Sequence, residues 1–242
     1  VDCRETVCYC GIVFHANNAL WLRIIAETPS MRENAVPDRL RLPLDFDPIR
    51  LKADLAGLTG IAWTSHFVTQ NYEGDWSVIA LRAPADARHP IRMIVSEPGC
   101  TEFIDTPALA ASPYFRQVLA AFACPLLAVR LMRLAPGSTI KEHHDHDLSF
   151  EQGTVRIHIP VATNDAVDFR LNGTRCVMPA GSAWYLRLSD PHGVANHGPT
   201  DRVHMVIDAG VNGWVEALLA RGRGSAGGQA APSAAQTAAA QM

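Results

Sequence analysis

Apolar positions along the chain follow two different periods. In "DPIRLKADLAGL" the residues Ile49, Leu51, Leu55 and Leu58 recur near helical spacing, behind Asp47 as an N-cap and Pro48 at the first helical position. This pattern predicts a first helix. "SPYFRQVLAAFA" repeats the arrangement, with Ser112 as cap, Pro113 next, and Phe115, Val118, Leu119 and Phe122 at i, i+3, i+4 and i+7. That helix is expected to pack against a sheet.

From Ala128 onward the period changes to two, in short β-branched and aromatic runs broken by Gly, Pro, Asn and Asp, so the C-terminal half reads as mostly strands. In "VDFRLNGTRCVM" the pair Asn172-Gly173 is the favoured two-residue hairpin turn. It predicts the pairs Leu171 with Thr174, Phe169 with Cys176 and Val167 with Met178, with Asp168, Arg170 and Arg175 on the opposite face. A closing helix is expected from about Asn212. Beyond it, residues 222–242 have almost no large apolar side chains, cannot offset the entropy of ordering, and are expected to form a disordered tail.

Length and charge narrow the picture. At 242 residues, without an internal repeat, the chain suits one domain, expected over 37–221. Residues 1–36 read as an N-terminal extension. The chain opens with Val, and domain-like patterning begins only after Met31, so residues 1–30 are expected to be upstream or mis-assigned sequence. A formal net charge of −3 without any Lys/Arg block offers no footprint for a phosphate backbone or an anionic membrane, so no nucleic-acid or membrane partner is expected. The longest apolar runs, such as "LLAVRLM", fall far short of the roughly 20 residues that span a bilayer. Cys3, Cys8 and Cys10 crowd the start but lack the second half of a zinc ligand set. Cys100, Cys124 and Cys176 are isolated in apolar surroundings, as reduced thiols are. These features predict a soluble, cytoplasmic protein.

The chemistry concentrates in "IKEHHDHDLSF", where three histidines and two aspartates stand in five consecutive positions. Residues i and i+2 of a strand share a face, so two ligand pairs are available. His143 with Asp145 forms HxD, two members of a 2-His-1-carboxylate triad suited to Fe(II) with open coordination positions. His144 with His146 forms HxH, to which Glu151 could add. The alternative to both is a solvated charged loop. "PHGVANHG" supplies a third ligand, His192, expected at the end of the strand "SAWYLRL", with His197 competing from within a turn signal.

A hairpin centred near His197 would set His192 roughly opposite Arg202, about 5 Å away at Cβ. In "DRVHMVID", Val203, Met205 and Ile207 form one face and Arg202 and His204 the other. "TVRIHIPVAT" repeats this, with Val155, Ile157 and Ile159 opposed to Arg156 and His158. An inward Arg needs an anion, and its planar donor fork matches a carboxylate, so the pair of strands points to a pocket for an acidic ligand.

With His143, Asp145, His192 and Arg202 in these positions, the sequence resembles the aspartyl/asparaginyl β-hydroxylase family of Fe(II)- and 2-oxoglutarate-dependent oxygenases, which also includes free-proline hydroxylases. The resemblance runs from about Leu42 to Leu219 through "GSTIKEHHD", "VRIHIPVATN", "VDFRLNG", "PHGVANHG" and "DRVHMVID" in that order. It implies a mostly β fold with flanking helices, a double-stranded β-helix (jelly roll, cupin-like) whose mouth holds the metal. It further implies that His143, Asp145 and His192 are the Fe(II) ligands, that Arg202 binds the far carboxylate of 2-oxoglutarate, and that Arg156 and His158 assist the cosubstrate. O2 would be the oxidant and succinate and CO2 the coproducts. The animal peptidyl branch lacks the metal carboxylate, so Asp145 makes this chain more similar to the bacterial branch.

The substrate expected is an amino acid or a peptidyl residue of the Asp, Asn or Pro type. Trp63, His66, Trp76, Arg130 and Arg133 are candidates for the mouth. The competing readings are a cupin-type metalloenzyme using His144, His146, Glu151 and His192, with "MPAGSAW" as part of a second cupin motif, and a non-catalytic module that binds a small acid. Oligomeric state is not legible in the sequence.

Overall fold

Two antiparallel sheets face each other across an apolar interior. The computed structural model describes residues 36–95, 99–146 and 148–226. The first half comprises β1 (Arg39–Asp45), α1 (Pro48–Gly57), β2 (Thr64–Ser65), β3 (Tyr72–Glu73), β4 (Trp76–Pro84), α2 (Pro90–Ile94), β5 (Phe103–Asp105), α3 (Pro107–Ala110) and α4 (Pro113–Ala120). The second comprises β6 (Leu126–Leu134), β7 (Thr139–His143), β8 (Thr154–Ala162), β9 (Val167–Leu171), β10 (Thr174–Arg175), β11 (Ser182–Leu186), β12 (His192–Asn196), β13 (Arg202–Gly210) and α5 (Gly213–Ala226).

The larger, eight-stranded sheet has the order β1-β11-β8-β13-β6-β4-β2, with β5 beside β4, and the five-stranded sheet has the order β10-β9-β12-β7-β3. From β6 to β9, and again from β11 to β13, successive strands alternate between the sheets, the winding that makes a double-stranded β-helix.

Period-two alternation builds two cores. Val155, Ile157, Ile159, Val203, Met205 and Ile207 point to the outside of the larger sheet, where Leu51, Phe115, Val118 and Leu218 of the helices cover them. The opposite parity points between the sheets, where Met132, Leu134 and Val206 meet Ile140, Phe169, Leu171 and Val194. Arg156, His158, Arg202 and His204 share this second parity and are buried. The apolar-versus-polar division expected along both strands is found, and its polar side faces the barrel interior.

The first helix forms as expected, with Asp47 Oδ1 accepting from Ile49 N and Arg50 N, but Ile49 is 79% exposed, and Leu51 and Leu58 carry the contact. Ser112 stands at the N-cap of α4, yet its hydroxyl donates to Ala108 O, and no side-chain cap comes from it. Asp54 of α1 takes that role, with Oδ2 accepting from Tyr114 N at 2.7 Å and Phe115 N at 2.8 Å. Because these two N–H groups have no intrahelical acceptor, Asp54→Ala is expected to lower stability by about 0.5–2 kcal/mol in urea unfolding.

The Asn172-Gly173 turn has φ of 50° and 71°, and it pairs Leu171 with Thr174. Cys176 N donates to Phe169 O at 2.7 Å, but the ladder does not reach Val167 and Met178, and Val167 O accepts from the Arg175 guanidinium instead. The closing helix starts beyond Asn212, whose side chain accepts from Val215 N, and continues through Ala226, past the expected start of the tail at 222. It can do so because Gly222 lies against β1: a Cβ there would meet Leu40 Cδ2 at 2.9 Å and Arg41 O at 3.0 Å. The rest of the tail lies outside the described residues, as do Cys3, Cys8, Cys10, Met31 and the extension as far as residue 35.

One expectation about the site is overturned. β12 and β13 do not form a hairpin: β12 pairs with β7 and β9 in one sheet, and β13 pairs with β6 and β8 in the other. The chain crosses between sheets after Asn196, which is fully buried and donates to Leu134 O and Thr200 O while its Oδ1 accepts from Gly198 N. His192 therefore opens β12 instead of closing β11, and Arg202 reaches the same cavity from the facing sheet.

Candidate metal centre

His143 ends β7 and His192 begins β12, and the two are Cα partners across the ladder. Their rings are 4.3 Å apart between centroids. His143 Nδ1 lies 2.7 Å from Lys141 O and His192 Nδ1 lies 3.0 Å from Asp190 O. A carbonyl only accepts, so each Nδ1 carries a proton, and Nε2 is the ring atom each histidine presents to a metal. Burial is the main influence that pulls the His192 pKa down to about 4, so it is neutral at pH 7.

Asp145 lies just beyond the strand, where its N–H donates to Leu188 O at 2.8 Å. That bond turns its carboxylate inward, with Oδ1 3.8 Å from His143 Nε2. Among the described residues, His143, Asp145 and His192 are the group whose ligand atoms converge, all within 4.8 Å of one another. Two imidazoles and one carboxylate form a donor set suited to Fe(II).

The other expected ligands do not join them. His144 and His146 are exposed, with perpendicular rings 5.9 Å apart, and exposed Glu151 lies 3.8 Å from Arg187. The HxH reading required both histidines to share a strand face with Glu151 nearby, whereas β7 stops at His143. His197 is also exposed, at the crossing between sheets.

A cavity of about 620 Å³ opens beside the triad. Such a volume is ordinary for a small-molecule site. At its lower end Arg202 is 3% exposed, donates from Nη2 to His204 Nδ1 at 3.0 Å, and has its guanidinium carbon 5.9 Å from the Phe169 ring centre. Its Nε has no partner, and no carboxylate among the described residues pairs with it. Burial lowers its pKa to about 9, which still leaves a cation at neutral pH. His158 lies with Nδ1 3.4 Å from His204 Nδ1, and its buried Nε2 is also unpartnered. Burial holds both of these imidazoles neutral. A buried cation without a counter-ion is costly, so this end of the cavity is built for an anion.

At the upper end, Arg156 and Arg130 converge on Asp208, and Arg156 also reaches Asp145. Arg156 thus bonds to the carboxylates of Asp208 and Asp145. Of the candidates for the mouth, His66, Trp76 and Arg130 line the cavity, with His66 stacked on Trp76 at 3.5 Å. Burial, ahead of the charge of Arg130, pulls the His66 pKa down to about 4. Trp63 and Arg133 instead stack on each other at 4.8 Å, and Arg133 pairs with Asp75. Sequence reasoning passed over Asp208, although it shares the parity of Arg202 in "DRVHMVID" and a buried acid on that face was the available signal.

The jelly roll gathers two imidazoles, a carboxylate and a buried guanidinium around one cavity, a donor set that could hold a metal ion beside a cation that could hold an acid. Residues 56–210, more than half of the chain, match the family model described as Aspartyl/Asparaginyl beta-hydroxylase, and the chain belongs to that family. It is 25% identical over 176 residues to the L-proline cis-4-hydroxylase of Rhizobium meliloti (strain 1021), an alignment covering 72% of this chain and 61% of that one. The chain thus spans 61% of the length of the curated relative it matches. Among solved structures it is similar to HygX from Streptomyces hygroscopicus with nickel and 2-oxoglutarate bound (TM-score 0.47, 13% identity, covering 78% of this chain and 89% of that one). A Pseudomonas putida prolyl-4-hydroxylase is also similar (TM-score 0.44, 12% identity, covering 73% and 94%).

Proposed function

We propose that the protein is an Fe(II)- and 2-oxoglutarate-dependent dioxygenase that hydroxylates an amino acid or a peptidyl residue of the Asp, Asn or Pro type. The observation that carries this reading is the convergence of His143, Asp145 and His192 beside a buried guanidinium that has no carboxylate partner of its own among the described residues. In this reading the triad holds Fe(II), Arg202 holds the far carboxylate of 2-oxoglutarate, and His158 borders the cosubstrate. Bound iron and 2-oxoglutarate would supply the oxidising chemistry, in which O2 and 2-oxoglutarate give succinate and CO2 and one oxygen atom enters a substrate C–H bond.

The protein's own contribution is placement. The two Nδ1–H to carbonyl bonds keep both imidazoles in the metal-binding tautomer without a conformational search. Arg202, desolvated against Phe169 and held by His204, offers a fixed donor fork to one end of a dicarboxylic acid. Trp76, Phe169 and Ile140 give the cavity beside the triad an apolar lining. Free Cys100, Cys124 and Cys176 suit the cytoplasm that the sequence suggests, and no helix among the described residues is long and apolar enough to cross a membrane.

The decisive experiment screens free amino acids, L-proline first, and short Asp-, Asn- and Pro-containing peptides for substrate-stimulated succinate release, with mass detection of one added oxygen. Failure of every substrate to raise succinate above the uncoupled background would remove the hydroxylase reading. A second expectation needs no substrate. Anaerobic Mn(II) plus 2-oxoglutarate at about 100 times their Kd should stabilise the fold by about 2.7 kcal/mol per site, seen as a rise in Tm of several degrees. An unchanged Tm would argue against both sites.

A further inference from the structure

Asp208 is 2% exposed and belongs to neither the ligand set nor the acid-binding end of the cavity. It lies on β13, with Arg156 of β8 as its Cα partner. Arg156 lays one edge of its guanidinium on it, Nε to Oδ1 at 2.6 Å and Nη2 to Oδ2 at 2.9 Å, and Arg130 of β6 donates to Oδ2 as well. The remaining arm of the same guanidinium, Nη1, donates to Asp145 Oδ2 at 2.5 Å.

We propose that Asp208 is a positioning residue that sets the orientation of the Asp145 carboxylate through Arg156. The inference rests on the metal reading above. Asp145 stands beyond the end of β7, and the terminal torsion of an aspartate is broad and roughly two-fold, so its own backbone does not choose which oxygen faces the imidazoles. Arg156 makes that choice by engaging Oδ2, which leaves Oδ1 toward His143 and keeps the carboxylate from chelating through both oxygens. A guanidinium gripped along one edge is fixed in its plane, so Asp208 decides where Nη1 points. The second carboxylate also has an electrostatic role. When Asp145 gives its charge to a metal ion, Arg156 keeps Asp208 as counter-ion and is not left as a buried unpaired cation.

The test is anaerobic Co(II) titration of the full chain, followed by visible absorption, for wild type, Asp208→Asn, Arg156→Met, Arg156→Lys and the double variant Asp208→Asn/Arg156→Met. Loss of an outer partner of a ligand lowers metal affinity by about 10- to 100-fold, and that loss is expected for each single variant, with a changed ligand-field spectrum. Lys is included because a point charge cannot bridge both carboxylates. The double variant should bind Co(II) within about twofold of Arg156→Met, since residues acting in one chain are non-additive. If Asp208→Asn fails to fold, the double variant, which removes opposite charges together, and Arg156→Lys carry the test.

Affinities within about threefold of wild type in folded variants, or additive losses in the double variant, would overturn the proposal and leave the metal site standing. Absence of Co(II) binding by the wild-type chain would overturn the metal reading and this inference with it.

Discussion

Asp145→Ala and His143→Ala are expected to abolish 2-oxoglutarate turnover, by more than about 100-fold, while His144→Ala and His146→Ala retain most of it. The first pair removes a donor atom of the converging group, a larger loss than the 10- to 100-fold typical for an outer partner. The second pair removes exposed rings whose solvent surroundings replace them at little cost. Four alanine variants within four residues thus divide into two classes by geometry alone. Succinate release measured with the best substrate, and Co(II) binding measured without one, should divide them the same way. Turnover surviving in Asp145→Ala would refute the ligand assignment, and equal losses in all four would mean that the segment acts as a unit.

Arg202 gives the second large effect, and it separates function from stability. Arg202→Met should weaken 2-oxoglutarate binding by about 10- to 150-fold, the value of one or two charge-assisted hydrogen bonds lost from a buried site. Fe(II) or Co(II) affinity should change little, because the guanidinium bonds to His204 and not to any of the three ligands. Arg202→Lys should also be impaired, since an ammonium presents no planar fork. The same Met substitution should leave the ligand-free protein as stable as wild type or more so, because it removes a buried cation that has no carboxylate partner among the described residues. Calorimetry with 2-oxoglutarate and urea unfolding without it would show the two effects moving in opposite directions. A variant that loses both stability and 2-oxoglutarate affinity would recast Arg202 as a structural residue.

The buried charges explain why these effects are separable. Arg202 is held by a neutral imidazole and an aromatic face, a setting that favours release to an incoming anion. Arg130 and Arg156 are held by Asp208, a setting that favours rigidity. Arginines on one wall therefore serve two ends of the cavity, and the difference is the presence or absence of a carboxylate opposite each.

How far the sequence could be read varies by element. Of the four helices that begin with a cap position and proline, α1 and α4 were legible, because their apolar positions follow 3.6 residues per turn, whereas α2 and α3, at five and four residues, are too short to show that period. The facing of Arg156, His158, Arg202 and His204 was legible from the period of two. β4 was not, because "WSVIALRAP" is buried on both faces and so lacks alternation. The cap of α4 was assigned to the adjacent Ser112, whereas the carboxylate that fills it comes from Asp54, 60 positions away from Tyr114. A cap supplied through space has no local signal.

By itself the sequence determined the strand parity, the Asn172-Gly173 turn, the starts of α1, α4 and α5 and the inventory of possible ligands, all of which depend on neighbours within a few positions. Only the tertiary structure brings three of those candidates, His143, Asp145 and His192, together. The strand that should have carried both members of the HxD pair ends at His143, and a bond from Asp145 N to Leu188 O turns the carboxylate inward. It likewise decided that His192 and Arg202 meet across the barrel from facing sheets, not side by side in a hairpin, and that Asp208 joins Arg130 to Arg156. Backbone geometry over a few residues is set by local sterics, but which distant side chains share one desolvated cavity depends on how the sheets close, and no short stretch of chain encodes that.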